Sequence, residues 1–162
     1  MENTSAITLN ERQECVDAVE RLVRGAEQHI AIFTQALEPL LYNRHIICDL
    51  LSALARKSSH SNVRILAQAT KSVAADGHCL IHLAQRLPTY VQIRIPSTQE
   101  LQTFRESWLI ADNHSILQLN NPQRYEGSVI EQDRLYVKHK LEFFDHAWEN
   151  SDPDQNTRRL SL

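Results

Sequence analysis

The sequence predicts an α/β domain, with a central, mostly parallel mixed sheet flanked by helices and ending in a hairpin and a long C-terminal helix. Three observations carry this. In the first part of the chain, short apolar runs rich in β-branched residues alternate with segments of helical spacing, the pattern of βαβ units. Two later apolar runs are separated only by Asp112-Asn113-His114, a hairpin signal. A last amphipathic segment, residues 133–150, is long enough to close the domain.

The elements follow in order. Residues 1–9 form a polar lead. Asn10 has the character of an N-cap, with Gln13 three residues on, and Val16, Val19, Leu22, Val23 and Ala26 continue at helical spacing. Residues 29–37 (HIAIFTQAL) read as a buried strand bounded by Glu38-Pro39. Ile46, Ile47, Leu50, Leu51 and Leu54 mark an amphipathic helix over 43–57, ended by a polar turn at 58–62. A second buried strand covers 63–69. A third helix spans 72–87, with Leu80, Ile81, Leu83 and Ala84 inward and Pro88 just beyond. Residues 91–96 alternate as a half-buried strand does, 107–111 and 115–119 form the hairpin, and 120–127 form a polar loop. The domain is expected to occupy residues 1–150. Residues 151–162 form a polar tail, whose Arg158, Arg159, Leu160 and Leu162 either dock as an arm or fray.

Composition bounds the function. The 162 residues are 42% apolar and 23% charged with a net charge of −3, ordinary for a globular domain and without the basic footprint of a general nucleic-acid binder. No run reaches the ~18 apolar residues of a membrane span, and residues 1–9 lack the order of a signal peptide. With three glycines there is no GxGxxG or Walker-type loop, so no nucleotide cofactor is expected. Cys15, Cys48 and Cys79 sit in apolar stretches without pairing spacing and are expected to be buried thiols in a reducing cytoplasm.

The chemistry-bearing residues give few strong groupings. His78 and His82 are four apart on the expected third helix, a spacing that suits two metal ligands, but no Glu follows His78 and a plain helix surface explains them better. His139 and His146 share a face of the last helix, where positive charge suits the macrodipole. Ser128 after Gly127 lacks a GxSxG elbow, and Cys79 has no activating neighbour. Glu142 with Asp145, or Asp152 with Asp154, offers nothing to separate an acid from a base. No metal centre is expected. One constellation says more. Ligands bind such sheets outside the carboxyl ends of parallel strands. Those ends carry Thr34-Gln35, Gln68 to Thr70 and Ser97-Thr98, with Arg44 and Lys71 near the following helix starts. They either converge on an anionic group or only cap helices and turns.

The chain resembles one half of the phospholipase D fold over residues 15–150. The resemblance rests on the βαβαβ opening, the hairpin over 104–119, Gly127-Ser128, and a closing helix with Phe144 and Trp148. That family carries HxKxxxxD on its hairpin, followed by a Gly-Ser pair. The His attacks a phosphodiester, the Lys holds the phosphate, and the Asp supports the fold or the His. Here the segment reads Arg105-Glu106-Ser107-Trp108-Leu109-Ile110-Ala111-Asp112, and Asp112 alone matches. Arg105 replaces the nucleophile and, being always protonated, cannot serve as one. Ser107 replaces the phosphate-binding Lys. The chain also resembles a narrower group of proteobacterial domains with this degenerate fold, often attached behind GNAT-type acetyltransferases. That likeness rests on Val63 to Leu66, Ala84 to Pro88, Leu109 to Asp112, Phe144 to Trp148 and residues 152–160.

These readings lead to a set of expectations. The domain is a non-catalytic phospholipase D-like module that binds a partner protein or a small anionic ligand, with Gln35, Arg44, Gln68, Arg105, Ser107 and Asp112 as ligand-binding residues and no catalytic residue. By analogy it is a homodimer, and an acetyltransferase is the first partner to look for. The rival is a phosphodiesterase with a relocated nucleophile, His114 working with Asp112. Nucleic-acid binding is the least favoured, because Arg56-Lys57, Lys138 and Lys140 form no evident patch.

Overall fold

The computed structural model describes residues 6–157. In chain order the elements are β1 (Ile7–Leu9), α1 (Arg12–Gly25), β2 (His29–Thr34), α2 (Pro39–Tyr42), α3 (His45–Lys57), β3 (Asn62–Ala67), α4 (Lys71–Asp76), α5 (Cys79–Arg86), β4 (Val91–Pro96), α6 (Gln99–Gln102), β5 (Ser107–Ala111), β6 (Ser115–Asn121), β7 (Glu126–Ile130), α7 (Arg134–Glu149) and β8 (Ser151–Pro153), with single 3-10 turns at Pro122–Arg124 and Gln155–Thr157.

The strands form one eight-stranded sheet in the order β1-β7-β6-β5-β2-β3-β4-β8. Its centre is parallel, β2 against β3 and β3 against β4, as the βαβ pattern predicts. The other five pairings are antiparallel, so the sheet is mostly antiparallel and not mostly parallel as expected. The reason lies after β4. The chain returns to the far side of β2, lays β5 antiparallel along it, and extends by tight turns through β6 to β7, which pairs with β1 from the start of the chain.

Three strands escape the sequence reading because they are short or polar. β1 lies in the polar lead, β7 starts inside the expected 120–127 loop, and β8 begins the expected tail, pairing with β4. The residues 158–162 singled out as an arm lie outside the described residues.

Helices cover both faces. Cys15, Val19, Leu22 and Val23 of α1, Ile47, Leu51 and Leu54 of α3, and Leu80 and Leu83 of α5 bury against one face of the sheet. Val137, Phe144 and Ala147 of α7 bury against the other, over Phe33, Leu66, Trp108 and Ile110. Phe144 and Trp108 are core residues, and the half-buried Trp148 stacks on Phe144 at 6.0 Å between ring centroids. Among the described residues no helix is long and apolar enough to cross a membrane.

The helix expected over 72–87 is two helices. Gly77, at φ +86°, breaks it, and His78 caps α5 by accepting the Leu80 N–H on its Nδ1. His78 therefore does not share a helix face with His82, and among the described residues no cluster of three His, Cys, Asp or Glu side chains could hold a metal ion. The cysteine expectation also fails in part. Cys15 is a free buried thiol, but Cys48 and Cys79 form a disulfide across a sequence separation of 31. Packing α3 beside α5 places their N-terminal turns together, a tertiary event that spacing does not announce.

Candidate functional site

β2 and β3 end side by side, and the antiparallel register of β5 sets Trp108 opposite Phe33. Arg105 and Ser107 therefore arrive at the carboxyl ends of the parallel strands, beside Gln35. A cleft of about 560 Å³ opens there, lined by Gln35, Arg105, Asn120, Asn121, Pro122 and Gln123. The far wall comes from the end of β6 and the 3-10 turn after it.

Arg105 is exposed and makes no ion pair or side-chain hydrogen bond among the described residues. Gln35 Nε2 donates to the Arg105 carbonyl at 3.1 Å, which ties the two walls. The side-chain amides of Asn120, Asn121 and Gln123 line the same space, and none bonds to the described protein atoms. A guanidinium and three free carboxamides present many donors to an oxyanion, and the guanidinium matches phosphate or carboxylate with two parallel bonds.

Beside the cleft lies a buried polar cluster. Thr34 Oγ1 donates to the Glu38 carboxylate and accepts the Leu37 N–H at 3.1 Å, while Ser107 Oγ donates to Glu38 Oε1 at 3.4 Å. Ser107 is thus 1% exposed and engaged. Burial, and then the charge of Glu38, holds the neighbouring Tyr42 phenol well above its ordinary pKa. Leu37 takes a left-handed conformation at φ +55°, unusual for a bulky residue. His78 holds it there, Nε2–H donating to the Leu37 carbonyl at 2.8 Å. With Nδ1 accepting and Nε2 donating, this imidazole is neutral. Burial lowers its pKa, outweighing the Leu37 hydrogen bond, which raises it.

The residues expected to bind one ligand divide into separate groups. Gln35 and Arg105 share the cleft, with Ser107 buried beside it. Gln68 turns its amide to the Leu101 and Phe104 carbonyls, which positions the segment leading into Arg105. Arg44 does not line the cleft. Its guanidinium pairs with Glu20 of α1 at 3.0 Å.

Asp112 lies at the opposite end of β5, about 16 Å from Ser107 at the usual strand rise. It starts a turn in which Asp112 and Asn113 both have positive φ, 55° and 71°. Its carboxylate accepts the N–H groups of Glu27, Gln28 and His29 at 2.7, 2.8 and 2.9 Å. Burial alone would raise its pKa, but those three bonds, with His114 nearby, bring it below the ordinary value. Asp112 therefore clamps the start of β2.

His114 sits at this far end too. Its Nδ1 is 2.8 Å from Ser115 Oγ, and its Nε2 is 4.0 Å from an Asp112 oxygen that already accepts an N–H. The Gly127-Ser128 pair belongs to β7, where Gly127 faces Leu119 at a bulge and Ser128 faces Gln118. It does not line the cleft. Asn120, Asn121 and Gln123 take the place beside Arg105 instead. Their signal was the run Asn-Asn-Pro-Gln at the end of an apolar strand, which reads first as a turn. Glu38 was legible as the end of a strand and its role beneath the cleft was not.

A family model described as a domain of unknown function (DUF7931) matches residues 11–160. No curated protein sequence matches the chain. Among solved structures the chain is similar to Nuc of Salmonella typhimurium, a phospholipase D family member, at TM-score 0.62 and 15% identity over 85% of this chain and 89% of that one. It is similar to NucT from Helicobacter pylori at TM-score 0.65 and 11% identity, over 94% and 99% of the two chains. It is also similar to TrmBL2, an archaeal chromatin protein with its own mode of DNA binding, at TM-score 0.67 and 14% identity. The match covers 95% of this chain and 55% of TrmBL2, so the chain spans about half of that protein. The fold is that of the phospholipase D superfamily.

Proposed function

The chain belongs to the DUF7931 family, and on its phospholipase D fold we propose a non-catalytic module that binds a small oxyanion, phosphate or carboxylate, in the Arg105 cleft. The supporting observation is an exposed guanidinium without an ion pair among the described residues, facing three unbonded carboxamides at the carboxyl ends of the parallel strands. The position equivalent to the family nucleophile is an arginine, which cannot attack phosphorus. The nearby hydroxyl, Ser107, is buried against Glu38.

A homodimer and an acetyltransferase partner are further parts of this proposal, carried by the resemblance alone, whereas the cytoplasmic site of action expected from unpaired thiols loses its support at the Cys48–Cys79 disulfide. Nucleic acid is a poor fit to a chain of net charge −3.

The test is calorimetric titration of the pure protein with inorganic phosphate and pyrophosphate, beside an assay on an activated phosphodiester with and without chelator. Saturable binding that weakens about tenfold or more in Arg105→Gln, the cost of one charge-assisted hydrogen bond, supports the reading. Turnover that follows the protein through purification and disappears in His114→Ala would replace it with the relocated-nucleophile enzyme.

A further inference from the structure

We propose that Cys48 and Cys79 form a reversible redox site that controls the Gln35–Glu38 segment, which carries Gln35 into the cleft, with a dithiol, free or on a redox protein, as its reaction partner. The inference rests on the cleft being the working site, and it starts from a chain of contacts that runs from the sulfurs to that segment.

Cys48 stands in the first turn of α3 and Cys79 opens α5. Asn43, just before α3, accepts the Cys79 N–H on Oδ1 at 2.9 Å and donates from Nδ2 to the Gly77 carbonyl at 3.4 Å. His78, bonded in sequence to Cys79, reaches back to the Leu37 carbonyl. Leu37 in turn donates to Thr34 Oγ1, whose hydroxyl holds Glu38. The disulfide is the covalent tie that keeps the 77–80 corner against residues 37–48.

The conformation this corner imposes is one that the local sequence does not favour. Leu37 has positive φ, and residues held there persist only where their surroundings over-determine them. Gly77, with φ +86° and open space around its Cα, supplies a hinge beside the sulfurs. Both bridged cysteines are half-buried rather than sealed in the core. The remaining thiol stays out of the exchange. Burial, and then Glu14, pushes the pKa of Cys15 up to about 11, and its sulfur donates to the Tyr125 carbonyl.

The chemistry balances with the dithiol as reductant. Its thiolate attacks one sulfur, breaking the Cys48–Cys79 bond and forming a mixed disulfide. Its second thiolate then displaces that sulfur, so the reagent leaves as a disulfide while Cys48 and Cys79 gain two electrons and two protons. In the reduced state only non-covalent contacts hold His78 to Leu37. The segment then opens more often and Gln35 loosens from the Arg105 carbonyl.

Amide hydrogen exchange of the full chain, oxidised and after dithiothreitol, tests this without any ligand. The amides of Leu37, bonded to Thr34, and of Leu80, bonded to His78, report on the corner. Those of Val137 and Phe144 in α7 report on the rest of the core. Reduction is expected to speed exchange at Leu37 and Leu80 by about tenfold or more beyond any rise in α7, whose core amides report the loss of global stability, since local opening is limited by the tie. The double variant Cys48→Ser/Cys79→Ser is expected to match the reduced wild type. Unchanged exchange at Leu37, or an equal rise in α7, overturns the proposal. Because exchange is read without phosphate, a failure of phosphate to bind counts against the ligand reading and leaves this result standing.

Discussion

Asp112 accepts three backbone N–H bonds at the start of β2, so its charge is worth most when the carboxylate is ionised. The three donors come from consecutive residues 27–29, and an asparagine keeps one oxygen acceptor but loses the charge and sets its NH2 against at least one of these N–H groups. Asp112→Asn is expected to lower stability by about 1.5–3 kcal/mol, read from denaturant midpoints at neutral pH. The pH dependence has a definite sign. The folded pKa lies below the unfolded value of about 3.9, so the unfolded chain binds more protons between the two. Stability is full above about pH 4 and falls as the pH drops toward the folded pKa. The Asp112→Asn curve should be flatter in that window, and an unchanged acid limb would refute the clamp.

His78 obeys the same linkage at a higher pH. Its lowered folded pKa makes the neutral form the folded one, so its contribution is complete above about pH 6.5 and declines as protonation of the unfolded chain begins. His78→Ala deletes both the cap on Leu80 and the donor to the buried Leu37 carbonyl, and should cost about 2–4 kcal/mol. Nuclear magnetic resonance titration of the His78 ring would show a midpoint below that of a free histidine.

Strand β7 is the element whose existence depends on a single glycine. A Cβ on Gly127 would collide with the Gln118 carbonyl oxygen and stand 2.8 Å from Leu119 Cα, both backbone atoms of β6 that cannot swing aside. The bulge between Leu119 and Asn121 brings the strands together there and turns Asn121 toward the cleft. Gly127→Ala is therefore expected to cost about 2–3 kcal/mol by overpacking, measured by thermal or chemical unfolding, and to weaken phosphate binding through the displaced wall. Gly77→Ala acts differently. Nothing lies within 4 Å of the added Cβ, so its cost is the strain of positive φ alone, about 1 kcal/mol.

At the scale of the whole molecule, the disulfide and the sheet order matter most. Closing a loop of 31 residues' separation removes unfolded-state freedom equivalent to about 3–4 kcal/mol in the chain-entropy model. Reduction should lower the free energy of unfolding by that amount, and a change near zero would mean that the pair adds nothing beyond the packing of α3 on α5. The sheet order explains why the expected six-residue site splits. β5 runs antiparallel to β2, so residues before it (Arg105) reach one rim of the sheet and residues after it (Asp112) reach the other. A segment that is contiguous in sequence thus places its ends on opposite rims, one lining the cleft and one anchoring β2.

How much was legible follows from which forces act locally. The helices α1, α3 and α7 and the β5–β6 hairpin are written as apolar periodicity and turn chemistry, signals that neighbouring residues carry by themselves. The likeness to the phospholipase D fold was equally readable, and the solved structures that share the fold bear it out. Gln35 beside Arg105 was legible as a pair of polar residues at strand ends.

Tertiary structure decided the rest, because the deciding partners are remote in sequence. β1, β7 and β8 are too short and polar to declare themselves and exist through strands that pair with them. Cys48 meets Cys79 only when α3 packs on α5. Asn120, Asn121 and Gln123 become cleft residues, and Arg44 and Asp112 cease to be, only once the sheet order is set. The sequence by itself determined the α/β class and the likeness to the phospholipase D fold. The antiparallel return of the chain after β4 decided which polar side chains share a cleft, since pairing between distant strands and not local pattern places them there.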